Sequence, residues 1–427
     1  MKRLPLLILS AVLMGAQAHS PVVSCGGTPP ATSVPAPVPT SPVPTPPVPT
    51  PPVPTPSVPA QTNPDSPANP PSINQPWVLG NYPWYTKFDV APADFPYDKV
   101  THLSLGNVWP TSPTVCCTST DPDFDAFVRD VIPRAHAKGK TVLLQLGGAG
   151  GNPDAVFNKA TATDEGAAAL AAEVVRYAQA RGFDGVSLDW EEQVIEARQT
   201  ALAAAIRTRW PHAVLNIDAG WAATDVSWAS AAAAYVDRIS PMTYVSVGNW
   251  GGWDGPWHQG ALYETPGSHP ASIDRTIQAY LAAGVPAAKL QFGIGFYGSG
   301  YGDSNGDGNC PSAPTAGWAG EWGAWMADYS LQLTTIEQFY EPSMTPHWDE
   351  VAHVPWLSAE APGRGGEADG WPPKLCYITY ENARSAAAKG QYLRANGLGG
   401  IIIWTVSQDH RPNNTYPVLD ALRAAIG

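Results

Sequence analysis

Phe183-Asp-Gly-Val-Ser-Leu-Asp-Trp-Glu191 alternates polar and apolar side chains with a period of two. Successive side chains of a strand point to opposite faces. Ser187, Asp189 and Glu191 therefore share one face, and Val186, Leu188 and Trp190 share the other. A strand with one wholly apolar face and one acidic face suits a parallel barrel. Its apolar side packs on outer helices, and its polar side looks into the interior. Asp189 and Glu191 then stand about 7 Å apart at Cα, with Glu191 nearest the C-terminal mouth, where barrel enzymes carry their chemistry. Two carboxylates in a confined space resist double ionisation, so one tends to hold a proton near neutral pH. A general acid needs that state. The bland alternative is a buried ion-pair cluster, but the stretch itself holds no Lys or Arg.

Outward from this strand, short apolar runs alternate with longer helical patterns. Val78–Tyr82, Val100–Leu105, Thr141–Leu146, Gly185–Leu188, Val214–Ile217, Ile239–Tyr244, Leu290–Ile294 and Gly400–Trp404 read as strands, each bounded by turn residues. Between two of them, Glu165–Arg181 places Leu170, Val174 and Tyr177 on one helical face, with Gly182 to end it. Eight such alternations predict an α/β fold, a (β/α)₈ TIM barrel. A doubly wound sheet is the alternative, but no glycine-rich nucleotide loop follows the first strand. Residues 302–374 break the alternation; they are rich in Gly, Trp and Asp, and predict a small α+β insertion between strand 7 and helix 7.

The barrel occupies residues 76–427, and a different composition precedes it. Of 46 prolines, 21 lie in residues 1–75, where Lys2, Arg3 and Asp65 are the only charged side chains. Lys2 and Arg3 before the apolar run Leu4–Met14 predict an export signal within residues 1–24. Two cleavage sites compete. One follows Ala18; the other precedes Cys25, in Val22-Val23-Ser24-Cys25, and would leave a lipidated cysteine anchored to a membrane. Residues 25–75 repeat Thr45-Pro-Pro-Val-Pro49 as Thr50-Pro-Pro-Val-Pro54, a polyproline spacer. The expected location is therefore outside the cytoplasm, secreted or on the cell surface. The net charge of −13 argues against binding nucleic acid, which calls for clustered Lys and Arg.

Seven short stretches of the body, in order, resemble motifs of glycoside hydrolase family 18, the chitinases. The family's D-x-x-D-x-D-x-E strand is similar to Asp184, Ser187, Asp189 and Glu191. Thr101-His102-Leu103 resembles its second strand, Gln145-Leu146-Gly147-Gly148 its S-x-G-G strand, and Met242-Thr243-Tyr244-Val245 its M-x-Y-D segment. Gly293–Ser299, Ile378–Glu381 and Gly397–Trp404 look like the later motifs.

The resemblance implies a retaining reaction on β-1,4-linked N-acetylglucosamine, in which the substrate's own acetamido group attacks the anomeric carbon. Glu191 would be the acid/base, Asp189 would stabilise the acetamido nitrogen, and Tyr244 would bond its oxygen. Asp184, Ser187 and Gln145 would support Asp189. Trp404 would floor the site, with Tyr82, Met242, Tyr297, Trp109 and Trp250 as further sugar contacts. No cofactor or metal is implied, and chitin or chito-oligosaccharide is the expected partner of a monomeric enzyme. Other expectations from the same resemblance are an endo-β-N-acetylglucosaminidase, a peptidoglycan glucosaminidase, and a weakly active or non-catalytic chitin binder.

Four departures bear on that chemistry, one of them Glu192-Gln193 where the family has Tyr-Pro after the acid. Ser187 stands where the family has aspartate, Gln145 where it has serine, and Val245 where it has aspartate. The expectation is that Gln145 and Ser187 together donate to Asp189. Trp84, Trp109, Trp250, Trp253, Trp257, Trp318, Trp322 and Trp325 fall on mouth loops or the insertion and suit sugar stacking. Asp303–Asn309 resembles the start of a calcium loop, but Pro314 occupies the twelfth position, and an Asx/Gly turn is the simpler reading. Cys116 and Cys117 would pair with Cys310 and Cys376, or with each other.

Overall fold

The computed structural model describes residues 75–427 except 113, 120–121, 150–152, 192, 245–256, 266–270, 303–309, 311–325 and 360–374, and gives backbone only at 153–154 and 326–330. The signal segment, the spacer, Cys25, Glu192, Val245, Trp250, Trp253, Trp318, Trp322, Trp325 and the loop Asp303–Asn309 lie outside the described residues.

Eight parallel strands form the central sheet. In chain order they are β1 (Trp77–Asn81), β2 (His102–Val108), β3 (Thr141–Gly147), β4 (Gly185–Asp189), β5 (Val214–Ala219), β6 (Arg238–Pro241), β7 (Gln291–Gly295) and, after an insertion of five strands, β13 (Gly400–Trp404). Their order is β6-β5-β4-β3-β2-β1-β13-β7. A parallel bridge between Ile239 and Leu290 brings the two edges together. The fold is the expected TIM barrel. The expected fourth strand is found at its place, and the helix after β3 runs Asp164–Ala180, with Gly182 at φ +83° just past its end. Thr163 caps its start by accepting from the Gly166 amide, an N-cap the apolar pattern does not reveal.

The alternation of β4 separates two apolar regions. Val186 and Leu188 face outward with Leu144, Leu146, Leu215 and Ile217, all fully buried beneath the helices. Inside the barrel a second cluster joins Leu79, Leu143, Met242, Tyr244, Tyr297 and Ile402, with Trp404 packed against it. At the N-terminal ends of the strands, His102 stacks on Trp77 at 3.9 Å, and the Arg238 guanidinium lies 4.2 Å from the Trp77 ring. Burial, then Arg238, push the His102 imidazole down to about 3, so it is neutral and structural.

The insertion is an antiparallel sheet of β8 (Tyr297–Tyr301), β9 (Met326–Gln332), β10 (Thr345–Asp349), β11 (Val354–Ser358) and β12 (Tyr377–Thr379), in the order β10-β11-β12-β8-β9. Its strands begin before residue 302 and end after 374. The reason is local: β7 and β8 are separated by Phe296 alone, so one continuous extended run enters both sheets. The change in composition at 302 falls inside the insertion, between β8 and β9, and does not mark its edge. A disulfide joins Cys310, between β8 and β9, to Cys376, the residue before β12, and Cys116 pairs with Cys117.

Candidate active site

β3, β4, β5 and β6 run side by side, with Gln145 beside Ser187, Ser187 beside Asn216, and Asp218 beside Ser240. The polar face of each strand therefore continues into the next. Asp189 is 3 % exposed, and its Oδ2 accepts from Gln145 Nε2 at 2.6 Å. That half of the expectation stands. The other half is corrected: Ser187 donates its hydroxyl to Asp218 Oδ2 at 2.6 Å. Asn216 Nδ2 donates to Ser187 Oγ at 2.8 Å and to Asp218 Oδ1 at 2.9 Å. Ser240 donates to Asn216 Oδ1 at 2.7 Å, and Gln291 Nε2 donates to Ser240 Oγ at 2.8 Å. A hydrogen-bonded chain thus crosses the barrel interior and ends on a carboxyl.

That carboxyl is perturbed. Burial, and next the charge of Asp189, raise the Asp218 pKa well above the carboxylate range, while the Ser187 and Asn216 donors oppose the shift. Asp189 ends β4 and Asp218 is the penultimate residue of β5, on neighbouring strands whose backbones lie about 4.8 Å apart. Two anions so close, out of water, are unfavourable, and one proton relieves them.

Tyr244 follows β6 and is 7 % exposed. Burial and then the charges of Asp189, Asp218 and Glu191 raise its hydroxyl well above the phenol range, so it remains a donor. Gly293 makes room for it: a Cβ there would meet the Tyr244 ring at 2.6 Å. Tyr297 donates to the Tyr244 carbonyl at 3.0 Å and accepts from Gln259 Nε2 at 3.2 Å. The Gly147-Gly148 pair has a similar cause. The Gly148 amide donates to the Asp189 carbonyl at 2.7 Å, and a Cβ on Gly147 would stand 1.9 Å from that oxygen. Both glycines also have positive φ, 120° and 111°.

Glu191 lies two residues beyond β4 and is exposed. Between it and Asp189, Trp190 turns outward and stacks on Phe157, with centroids 5.0 Å apart. The alternation read from the sequence therefore persists past the end of the ladder. Met242 and the half-buried Trp404 belong to the interior cluster with Tyr244 and Tyr297. Trp109 is half-buried at the end of β2, bridged to Thr118, and its Nε1 points to the Gly148 carbonyl at 3.5 Å.

Two expected site residues stand elsewhere. Tyr82 is fully buried, donates to the Val90 carbonyl, and packs against Phe95 and Phe127. It follows β1 on the outward face, so its ring belongs to the helix-side core. Asp184 precedes β4 by one residue, at the opposite end from the mouth. It accepts from the Val142 amide at 2.7 Å and pairs with His136 Nε2 at 2.8 Å. It is a clamp between strand and helix.

Asp218 and Asn216 were missed by the sequence reading. Their signal was present, because Val214-Leu-Asn-Ile-Asp-Ala219 has the same alternation as β4, but the expected strand stopped at Ile217, one residue short. Glu381 appeared only as a motif residue. It is buried, bonded to Ser385 Oγ at 2.6 Å and paired with the wholly buried Lys389 beneath Gly260. Among the described residues, no group of three or more His, Cys, Asp or Glu could hold a metal ion.

The sequence profile of glycosyl hydrolases family 18 matches residues 82–409. Chitinase A1 of Niallia circulans is 30 % identical over 286 residues, which are 59 % of this chain and 38 % of that protein. Chitinase B of Serratia marcescens is 24 % identical over 79 % of this chain and 80 % of its own length. The chain thus spans well under half of the first relative and about four fifths of the second. Among solved structures, the class V chitinase from Nicotiana tobaccum superposes with a TM-score of 0.68, at 19 % identity, over 83 % of this chain and 99 % of its own. The Ostrinia furnacalis group IV chitinase, solved in complex with allosamidin, gives 0.66 at 20 % identity over 82 % of this chain and 99 % of its own.

Proposed function

This chain belongs to glycosyl hydrolases family 18, and from that membership we propose that it hydrolyses β-1,4 linkages between N-acetylglucosamine units of chitin or chito-oligosaccharides. The observation that carries the reading is a buried carboxylate, Asp189, whose charge acts on a buried phenol, Tyr244, itself part of the interior cluster on which Trp404 packs. An acetamido group needs both: an anion for its nitrogen as positive charge develops, and a donor for its oxygen. Attack of the acetamido carbonyl on the anomeric carbon breaks the glycosidic bond, whose oxygen takes the Glu191 proton. Water then opens the cyclic intermediate, returning the proton to Glu191 and retaining the configuration. Glu191 is exposed at the mouth, where a substrate oxygen can reach it. Met242, Tyr297 and Trp109 are the sugar contacts that accompany Trp404.

Wild-type enzyme is expected to release chitobiose from chitin with retained anomeric configuration, and Glu191→Gln to lose about a hundredfold or more in kcat. If Glu191→Gln keeps its rate on a chromogenic chitobioside, Glu191 is not the acid. Product on a high-mannose glycopeptide or on peptidoglycan, but not on chitin, would move the substrate within the family. Binding without turnover on all of them would leave a chitin-binding protein.

Export through residues 1–24, with Cys25 as a lipid-bearing N-terminus and residues 25–75 as the spacer, completes the proposal. The support is the basic start, the apolar run and the proline repeat. Mass spectrometry of the mature N-terminus decides it: an unmodified His19 start removes the tether.

A further inference from the structure

Ser187 interrupts the carboxylate pattern of β4, and its hydroxyl bonds a carboxyl on the next strand. The nearest acceptor to its hydroxyl is Asp218 Oδ2, 31 positions along the chain and one strand over. The ladder between β4 and β5 runs Ser187 beside Asn216 and Leu188 beside Ile217, so the next step sets Asp189 against Asp218. Both side chains are buried, at 3 % and 5 % exposure. We propose that Asp218 is the positioning partner of Asp189, a carboxyl supplied from β5 in place of the one that Ser187 does not supply from β4. The proposal rests on the hydrolase reading above.

The chemistry follows from one proton held by two carboxyls. Asp218 carries it, so Asp189 remains an anion facing the developing charge on the acetamido nitrogen. No bond is made or broken at Asp218. Around it stand Asp189 from β4, Asn216 and Ser240 from β5 and β6, and Tyr244 after β6, with Glu191 further along the mouth. Of these, Asp189 brings a negative charge, Glu191 brings one only after it has given up its proton, and none is basic. Gln145 donates to Asp189 Oδ2, a bond that suits an anion there, and burial beside the Asp189 charge raises the Asp218 pKa. Two donors hold the Asp218 oxygens in place, and the chain behind them through Asn216, Ser240 and Gln291 fixes their direction.

The test compares Asp218→Ala, Asp218→Asn and the double variant Ser187→Asp/Asp218→Ala on a chromogenic chitobioside. Asp218→Ala should lower kcat about tenfold to a hundredfold with KM within about twofold, and move a limb of the pH–kcat profile by about one unit. The double variant, with its carboxyl returned to β4, should recover most of kcat and the original limb. A packing role has no reason to be rescued from another strand. An Asp218→Ala enzyme with unchanged kcat and pH profile overturns the proposal, as does a folded double variant that recovers neither. Infrared difference spectra of wild type against Asp218→Asn at neutral pH need no turnover. Loss of a protonated-carboxyl band in the variant supports the assignment; no such band in either protein overturns it, including where Asp218→Ala does not fold. If wild type turns over no substrate, the hydrolase reading fails, and the infrared comparison still decides where the proton lies.

Discussion

A carboxyl that the fold keeps neutral leaves a thermodynamic trace at the scale of one residue. Asp218 ionises near pH 4 in the unfolded chain and well above that in the folded one. Between those two values the folded state binds the extra proton, so the contribution of this group to stability falls as pH rises through the window. Asp218→Asn removes the effect. The stability of the variant relative to wild type should therefore climb between pH 4 and pH 8, as read from urea denaturation midpoints. A difference that stays flat with pH would mean that the group ionises alike in both states. A strained site of this kind is what a stability–function trade-off looks like locally. The opposite case sits outside the barrel strands, on the helix Ala383–Ala395. Lys389 is wholly buried on Glu381, and removing one partner of such a pair leaves an unpaired buried charge. Lys389→Met should cost about 3–5 kcal/mol in chemical denaturation, with Glu381→Gln/Lys389→Met recovering much of it.

At the scale of elements, β4 does two jobs from its two ends. Its mouth end carries Asp189, and Asp184 just before it grips β3 and the helix Phe124–Ala137. The Asp184 hydrogen bond raises the His136 pKa, against a smaller opposing effect of burial. A raised folded pKa means that the stabilisation is complete below about pH 6.5 and fades as pH rises through the higher folded value. The pair is partly exposed, so screening limits its worth to about 0.5–1 kcal/mol. His136→Ala should show that loss at pH 5.5 and little of it at pH 9. Equal losses at both would assign the contact to packing. Much at this scale was legible beforehand. All eight barrel strands, and the helix that stops just before Gly182, fall where alternation and turn residues place them. Strand ends were less so: β6 stops at Pro241 rather than Tyr244, and β5 runs on to Ala219. A strand ends where its neighbour stops bonding, and a single sequence does not contain that neighbour.

For the molecule as a whole, the sheet order turns these local patterns into a site and hangs a second sheet beside it. The Cys310–Cys376 bridge closes 66 positions of chain across that insertion. By loop entropy alone it is worth about 4 kcal/mol. Cys310→Ser/Cys376→Ser should lower the unfolding midpoint accordingly while leaving the far-ultraviolet spectrum of the barrel in place. An unchanged midpoint would deny the bridge that weight. The sequence by itself determined the barrel, the split of β4 into an apolar and an acidic face, and the identity of Asp189, Glu191 and Tyr244 as site candidates, because period, turn chemistry and motif order are local along the chain. Only the tertiary structure decided that Ser187 serves Asp218 rather than Asp189, that Tyr82 turns into the helix-side core, that Asp184 works at the far end of its strand, and which cysteines pair. Each of those outcomes depends on desolvation and hydrogen bonding between groups tens of residues apart, and these forces act through space.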